Sequence, residues 1–296
     1  MNVITLTSPV LSVSRIFGLS PFRIPSNDYE SFSESTLWLL YSATCYLIGA
    51  MGHFYMFYRW LTFYFSIKDV SMLFLYGIDK VLELASYLID VPIILIASSE
   101  IVKILNCLTN HSQNIFLKKI ECERNVKLHL WILILSITLT AVIALTLEIE
   151  SKFGNGDIGF LISDIAIIYN GCVLNFTCVQ FITFVNIFRL YFKGLNSRLK
   201  RNAWTVWEMK ELIKIDSELK DVAEKCCRIF GVVNSLFFTV GMVEVLYHTR
   251  RLVFEKQDLY TVFVFVLWML FYGGFMTVIV GVSGSAYEEV KYMYYW

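Results

Sequence analysis

Of 296 residues, 57% are apolar and only 17% charged, with a mean hydropathy of +0.60, whereas a soluble fold carries roughly a quarter charged residues. Twenty-five basic residues balance twenty-five acidic ones, which excludes a basic nucleic-acid binder and an acidic solubilising protein. Four Pro and fifteen Gly leave little room for a long disordered tail, and the composition is that of an integral membrane protein.

The N-terminus, MNVITLTSPVLSVSRIFGLSPFRIP, has no basic start, uninterrupted apolar core or small-residue cleavage site, so the first span is expected to stay in the mature protein. About twenty apolar residues cross a ~30 Å hydrocarbon layer as a helix. Six stretches meet that requirement, at about 36–58, 71–102, 128–147, 160–188, 230–249 and 259–282. Strand-length alternation is absent, and helices satisfy their own backbone groups in lipid. The expected fold is all-α and polytopic, with six transmembrane helices.

Lys and Arg counts in the short loops set the orientation. The loop at 103–127 has five and the segment 189–228 has ten, against two, one and three in the alternate loops. This places 1–35 in the cytoplasm as an N-terminal segment, 36–188 as the first four spans, 189–229 as a cytosolic helical segment, 230–282 as the last two spans and 283–296 as a cytoplasmic tail. A rhodopsin-type receptor has the opposite orientation. Asn110-His111-Ser112 is a glycosylation sequon that this topology leaves bare in the cytosol, and Asn175-Phe176-Thr177 falls within a span. The seven Cys show no CxxC spacing, and no disulfide framework is expected.

The string Gly154-Asn155-Gly156-Asp157-Ile158-Gly159 fits G-x-G-x-x-G, but it joins two spans rather than a strand and a helix of a soluble unit, and it reads as a turn. No Walker loop, nucleophile elbow or H-E-x-x-H is present, and the four His are scattered. Nothing in the sequence points to an enzyme, a cofactor or a metal.

Polar residues recur at helical spacing inside the spans. In the second, Asp79, Glu83, Ser86 and Asp90 share one face, with Lys80 in reach of Glu83. The fourth carries Asp164, Gly171, Asn175 and Cys178; the fifth carries Asn234, Gly241, Glu244 and His248. On the sixth, Thr261, Phe265, Trp268, Tyr272 and Phe275 form an aromatic wall. An ionisable group costs roughly 2.5–3.5 kcal/mol at mid-membrane and therefore faces protein or water. Two readings fit: a polar seam between helices, or a small-molecule pocket in the outer half lined by Asp79, Glu83, Asp164, Asn175, Glu244, His248, Trp268 and Tyr272. Within the cytosolic helix, Leu212, Ile215, Leu219, Val222 and Cys226 form an apolar stripe. It packs within the chain or joins subunits as well.

Several segments together resemble the insect gustatory receptors, a branch of the insect chemoreceptor superfamily of seven-transmembrane ligand-gated cation channels. Arg15 to Phe22 is similar to the family's Gly-x-x-Pro-Phe start, and Gln180-Phe181 with Asn186, Arg189 and Leu195-Asn196-Ser197-Arg198-Leu199 to the exit of its fourth span. Leu212 to Phe238 resembles the cytosolic helix and fifth span, and Ala286 to Val290 the stretch after the sixth. The resemblance implies a multi-pass plasma-membrane receptor in contact with lipid, a small-molecule tastant as ligand, and a homo- or hetero-tetramer gating cations, with no nucleic-acid partner. The seventh-helix signature, Thr-Tyr and Gln-Phe separated by five apolar residues, is absent before the chain stops at Trp296, so the polypeptide is expected not to form a pore alone. An odorant-receptor subunit of the same superfamily and a non-conducting, co-assembling modulator are the alternatives.

Overall fold

A computed structural model describes residues 3–25, 30–64, 70–115, 121–153, 158–200, 205–254 and 259–293. Eight helices account for nearly all of them: α1 (Val3–Ile16), α2 (Thr36–Tyr64), α3 (Val70–Ile96), α4 (Ser98–Ile115), α5 (Glu121–Phe153), α6 (Ile158–Leu199), α7 (Val206–Phe254) and α8 (Leu259–Met293). Two residues each of β1 (Phe22–Arg23) and β2 (Ser33–Glu34) pair antiparallel, Phe22 opposite Glu34. The polytopic all-α expectation holds.

By length and composition, four helices among the described residues are able to cross a membrane, within α5, α6, α7 and α8, where the sequence reading expected six. The difference has a physical source. α3 is strongly apolar but carries four charged residues, Asp79, Lys80, Glu83 and Asp90, while tyrosines, glycines and His53 lower the hydropathy of α2, yet both are long enough at 27 and 29 residues. Outward apolar side chains such as Leu37, Met51, Leu135 and Leu270 are two-thirds exposed or more, a girdle that suits lipid rather than water.

The axis of the bundle is α6. Its span is 72% buried, against 17% for α5 and 22% for α8, and it touches α1, α2, α3, α5, α7 and α8. Thr177, Thr183 and Asn186 are polar but donate to the carbonyls of Val173, Val179 and Ile182 one turn back, so burial leaves those donors satisfied. Where α2 crosses α3, Tyr87 stacks on His53 with ring centres 4.4 Å apart. A methyl at Gly49 would stand 1.9 Å from the Tyr87 hydroxyl, so glycine is required there for close approach.

The N-terminal segment, read from sequence as a plain cytoplasmic stretch, contains α1 with Val3, Leu6, Val10 and Ser14 buried. That is a helical repeat, disguised by Pro9 and by Ser and Thr. After it, Gly18 turns the chain at φ +76°, and Leu19, Ser20 and Phe22 enter the core. Gln180 Nε2 donates to Leu19 O at 3.2 Å and Ser20 Oγ at 3.3 Å; Asn106 holds Phe32 through both its N–H and its carbonyl at 2.9 Å. Two stretches noted for family resemblance therefore meet. A second pair does so where Asn196 Nδ2 donates to Glu289 O at 2.8 Å.

Other boundaries also shift. The expected span at 71–102 is divided at Ala97 between α3 and α4, and the expected tail at 283–296 continues α8 as far as Met293. At 1.5 Å per residue, the 49 residues of α7 extend about 74 Å, more than twice a hydrocarbon layer. Its start is a reciprocal cap: Thr205 N–H donates to Glu208 Oε2 at 2.8 Å, and Glu208 N–H to Thr205 Oγ1 at 3.2 Å. These bonds hold the Glu208 carboxyl below its ordinary range. A depressed acid pKa stabilises the folded cap above the unfolded value of about 4.3, and that contribution is lost as pH falls through the lower folded value. Thr205→Ala should raise hydrogen exchange in the first turn of α7 about fivefold, equivalent to about 1 kcal/mol; acidification below pH 4 should do the same to the parent chain after correction for intrinsic rates.

Candidate functional site

Helices α3 and α7 run antiparallel, which brings the start of one beside the end of the other. Tyr76 stacks on Tyr247 with ring centres 5.9 Å apart, and one turn further Asp79 and Glu83 meet Glu244. Their nearest carboxylate oxygens all lie within 4.8 Å of one another. Lys80 is held among them, its Nζ 2.9 Å from Asp79 Oδ2 and 2.7 Å from Glu83 Oε2. On the far side, His248 Nε2 lies 3.1 Å from Glu244 Oε2. Asp79, Lys80 and Glu83 are all buried.

Among the described residues this trio is the one acidic group close enough to hold a metal ion. The Lys80 ammonium, however, already sits between two of the carboxylates, so the group has an internal cation. Aromatic rings close the cluster. Lys80 Nζ is 5.4 Å from the Tyr76 ring centre, His248 packs on Phe265 at 4.6 Å, and Arg251 lies over Phe265 at 4.8 Å. The polar face of α3 continues inward: Ser86 Oγ donates to Glu83 O at 2.9 Å, and Asn170 Nδ2 from α6 reaches the same carbonyl at 3.2 Å. At its inner end Asp90 is wholly buried, and neither carboxylate oxygen has a hydrogen-bond partner.

The second part of the site lies between α5, α6 and α8. Here a shallow cleft, partly open to the outside and with room for about one water molecule, is lined by Thr140, Ala141, Gly171, Asn175, Trp268 and Phe271 among others. Tyr272 links the two parts. Its ring stacks on Trp268 at 6.0 Å, while Glu244, Glu83 and Asp79 lie within electrostatic range of its hydroxyl.

Seven of the eight pocket residues expected from sequence thus fall into two neighbouring groups. Asp79, Glu83, Glu244 and His248 form the ionic cluster; Asn175 and Trp268 line the cleft; Tyr272 stands between them. The Asp164 and Thr261 side chains lie outside the described residues. Sequence reasoning missed Tyr76, Tyr247 and Arg251, although the two tyrosines stand three residues from Asp79 and Glu244 on the same helical faces. Thr140 and Phe271 carried no such signal, because they matter only through their neighbours on other helices.

At the opposite end of the bundle, the stripe Leu212, Ile215, Leu219, Val222 and Cys226 is buried inside the chain's own core. Nearby, His111 Nε2 on α4 lies 3.0 Å from Glu218 Oε2 on α7. The i, i+4 pairs Lys220–Asp216, Lys225–Asp221 and Arg228–Glu224 form at 2.7, 2.8 and 2.5 Å. The exposed face of α7 there carries Val206, Trp207 and Ile213 instead.

Removing one partner of a buried ion pair costs about 3–5 kcal/mol, because the other charge stays behind. Lys80→Met should therefore destabilise the detergent-solubilised protein by about that amount in thermal unfolding. Adding Glu83→Leu should recover part of the loss, giving a non-additive cycle; additive effects would dissolve the cluster as a unit.

No individual curated protein matches the chain. The profile of the 7tm chemosensory receptor family matches residues 7–293, which takes in α2 to α8, most of α1, and both parts of the site just described. The chain belongs to the 7tm chemosensory receptor family.

Proposed function

We propose that this chemoreceptor is a gustatory receptor subunit of the ligand-gated cation channel type. A small tastant would bind at the end of the bundle where α3 begins, α7 ends and α8 begins. The convergence of Asp79, Glu83, Glu244 and His248 with Tyr272 and the Trp268–Asn175 cleft carries this reading. A chemosensory receptor needs a concave, mostly apolar site with a few placed polar groups, and this region has the polar groups, the aromatic surface and the cleft together. Aromatic faces beside carboxylates suit cationic and hydroxyl-rich ligands alike.

In the proposed topology residues 1–35, 103–127, 189–229 and 283–296 face the cytosol of the sensory cell and the ligand end faces outward from the plasma membrane. The basic loops support it, as does the overrun of α7, whose charged half is too long and too polar to remain in lipid. The proposed tetramer, of identical or related subunits, does not need the buried Leu212–Cys226 stripe. The opposite face of α7, where Val206, Trp207 and Ile213 are exposed, is better placed to meet a neighbour. The apolar lining of the cleft favours one second reading, an odorant-receptor subunit taking volatile ligands.

Expression of the full chain, alone and with a conducting subunit of the same family, should give a cation current on exposure to soluble tastants. Glu244→Gln and Trp268→Ala should each shift the half-maximal concentration about tenfold or more, equal to about 1.4 kcal/mol, at unchanged surface level. Unaltered responses in both variants would remove these residues from the ligand site. Responses confined to volatile compounds would select the odorant reading.

A further inference from the structure

Two turns inward of the ionic cluster, α3 buries an acid that has no partner. Asp90 is wholly buried, and neither oxygen of its carboxyl makes a hydrogen bond. Tyr87, Val91 and Ile94 beside it on the helix are shut off from the surface as well. From α6 the Cys178 thiol lies within electrostatic range of the carboxyl, but its proton goes to Asn234 Oδ1 on α7 at 3.7 Å. On α3 itself the Ser86 hydroxyl is engaged with Glu83 O. Helix α2 meets α3 a turn earlier, where Tyr87 stacks on His53 and donates to the Cys45 and Tyr46 carbonyls. The charged groups nearest along the chain are taken: Lys80 holds Glu83 at 2.7 Å, and Lys103 on α4 holds Glu100 at 2.8 Å. Among the described residues no charged group acts on the Asp90 carboxyl.

An ionised Asp90 would have neither water nor a counter-charge. An isolated ion in an apolar medium is far more costly than an unpartnered neutral hydroxyl, so the group is tolerated only in its neutral form. The chain beside it is also built to give way. Pro92 lies inside α3 and has no N–H, which leaves the Leu88 carbonyl without its helical donor. Shortly beyond, at Ala97, α3 gives over to α4.

We propose that Asp90 is a proton-binding site that latches α3 to α6 and α7. Protonated, it packs as a neutral side chain beside Cys178; ionised, it forces that junction open to water. The step is a proton transfer: the O–H bond of the acid breaks as the junction opens, the electron pair stays on the carboxylate oxygen and the proton passes to water. Above the ordinary aspartate value of about 3.9, an opened Asp90 is ionised. The closed junction then binds one proton more than the open one, so its stability falls as pH rises. Glu208 at the start of α7 has the opposite sign, since its cap is lost on acidification. Proton uptake at Asp90 thus closes the helix that also carries Asp79 and Glu83.

The test uses the full chain in phosphatidylcholine vesicles. Asp90→Asn keeps the shape of the neutral acid and cannot ionise, and Asp90→Leu is a second neutral variant. In the infrared difference spectrum of parent minus variant at neutral pH, the parent should show an additional protonated-carboxyl band and no additional carboxylate band. Hydrogen exchange of the peptide spanning 86–94 is the second readout. After correction for intrinsic rates, exchange in the parent should rise about tenfold per pH unit through the neutral range, as release of one proton on opening requires. Both variants should lose that slope. Either variant serves as the reference, and the slope of the parent needs none.

An additional carboxylate band in the parent would mean that Asp90 is ionised and would overturn the proposal. So would equal slopes in parent and variants. A parent slope that disappears when sodium replaces potassium would overturn it too, because the site would then hold a metal cation in place of the proton.

Discussion

Charge inside an apolar bundle is the constraint from which the rest of this structure follows. Lys80 and three carboxylates stand where each would be expensive alone, and each becomes tolerable only by facing the others. That requirement sets the rotation of α3, since Asp79, Lys80, Glu83, Ser86 and Asp90 all have to point away from lipid. It sets the register of α7 too, because Glu244 must arrive opposite Asp79 and Glu83. With α3 and α7 aligned antiparallel, Tyr76 meets Tyr247 at one end. Near the other, Cys178 on α6 donates its thiol proton to Asn234 on α7 at 3.7 Å.

The site and the scaffold are therefore the same object viewed at two scales. The ionic cluster binds two helices together and also places polar groups at the end of the bundle proposed to receive ligand. Tyr272 extends the coupling to α8, with its hydroxyl toward the carboxylates and its ring against Trp268. A change in how α7 meets α3 would thus be felt in the cleft through one rigid aromatic side chain. At the opposite end the logic changes. There, in the proposed topology, the long helices leave lipid; ion pairs such as Lys225–Asp221 lie in the open, and the apolar stripe of α7 is covered by the chain itself.

The motifs that resembled the family also acquire a physical meaning once they are seen together. Gln180 holds the turn at Leu19 and Ser20, and Asn196 holds the end of α8 at Glu289. Both are amide side chains on α6 bonding to backbone of segments far away in sequence. Each of these polar residues on the most buried helix thus anchors a segment distant in sequence. This accounts for signatures that are short, polar and scattered rather than continuous.

The membrane class, the helical fold and the inward faces of α3 and α7 were legible in sequence, because hydropathy and a 3.6-residue repeat act through neighbours on one helix. Asp79, Glu83, Glu244 and His248 could be named as inward-facing on that ground alone. Helix α1 was missed because its apolar repeat is short and broken by Pro9, and the divisions at Ala97 and Met293 because boundaries depend on packing beyond the helix itself. Which residues meet across helices was decided only by the tertiary structure. The separation of Asn175 and Trp268 from the ionic cluster depends on the relative rotation of α5, α6 and α8. No local pattern encodes that rotation, because it is the joint solution of packing the most buried helix against all its neighbours at once.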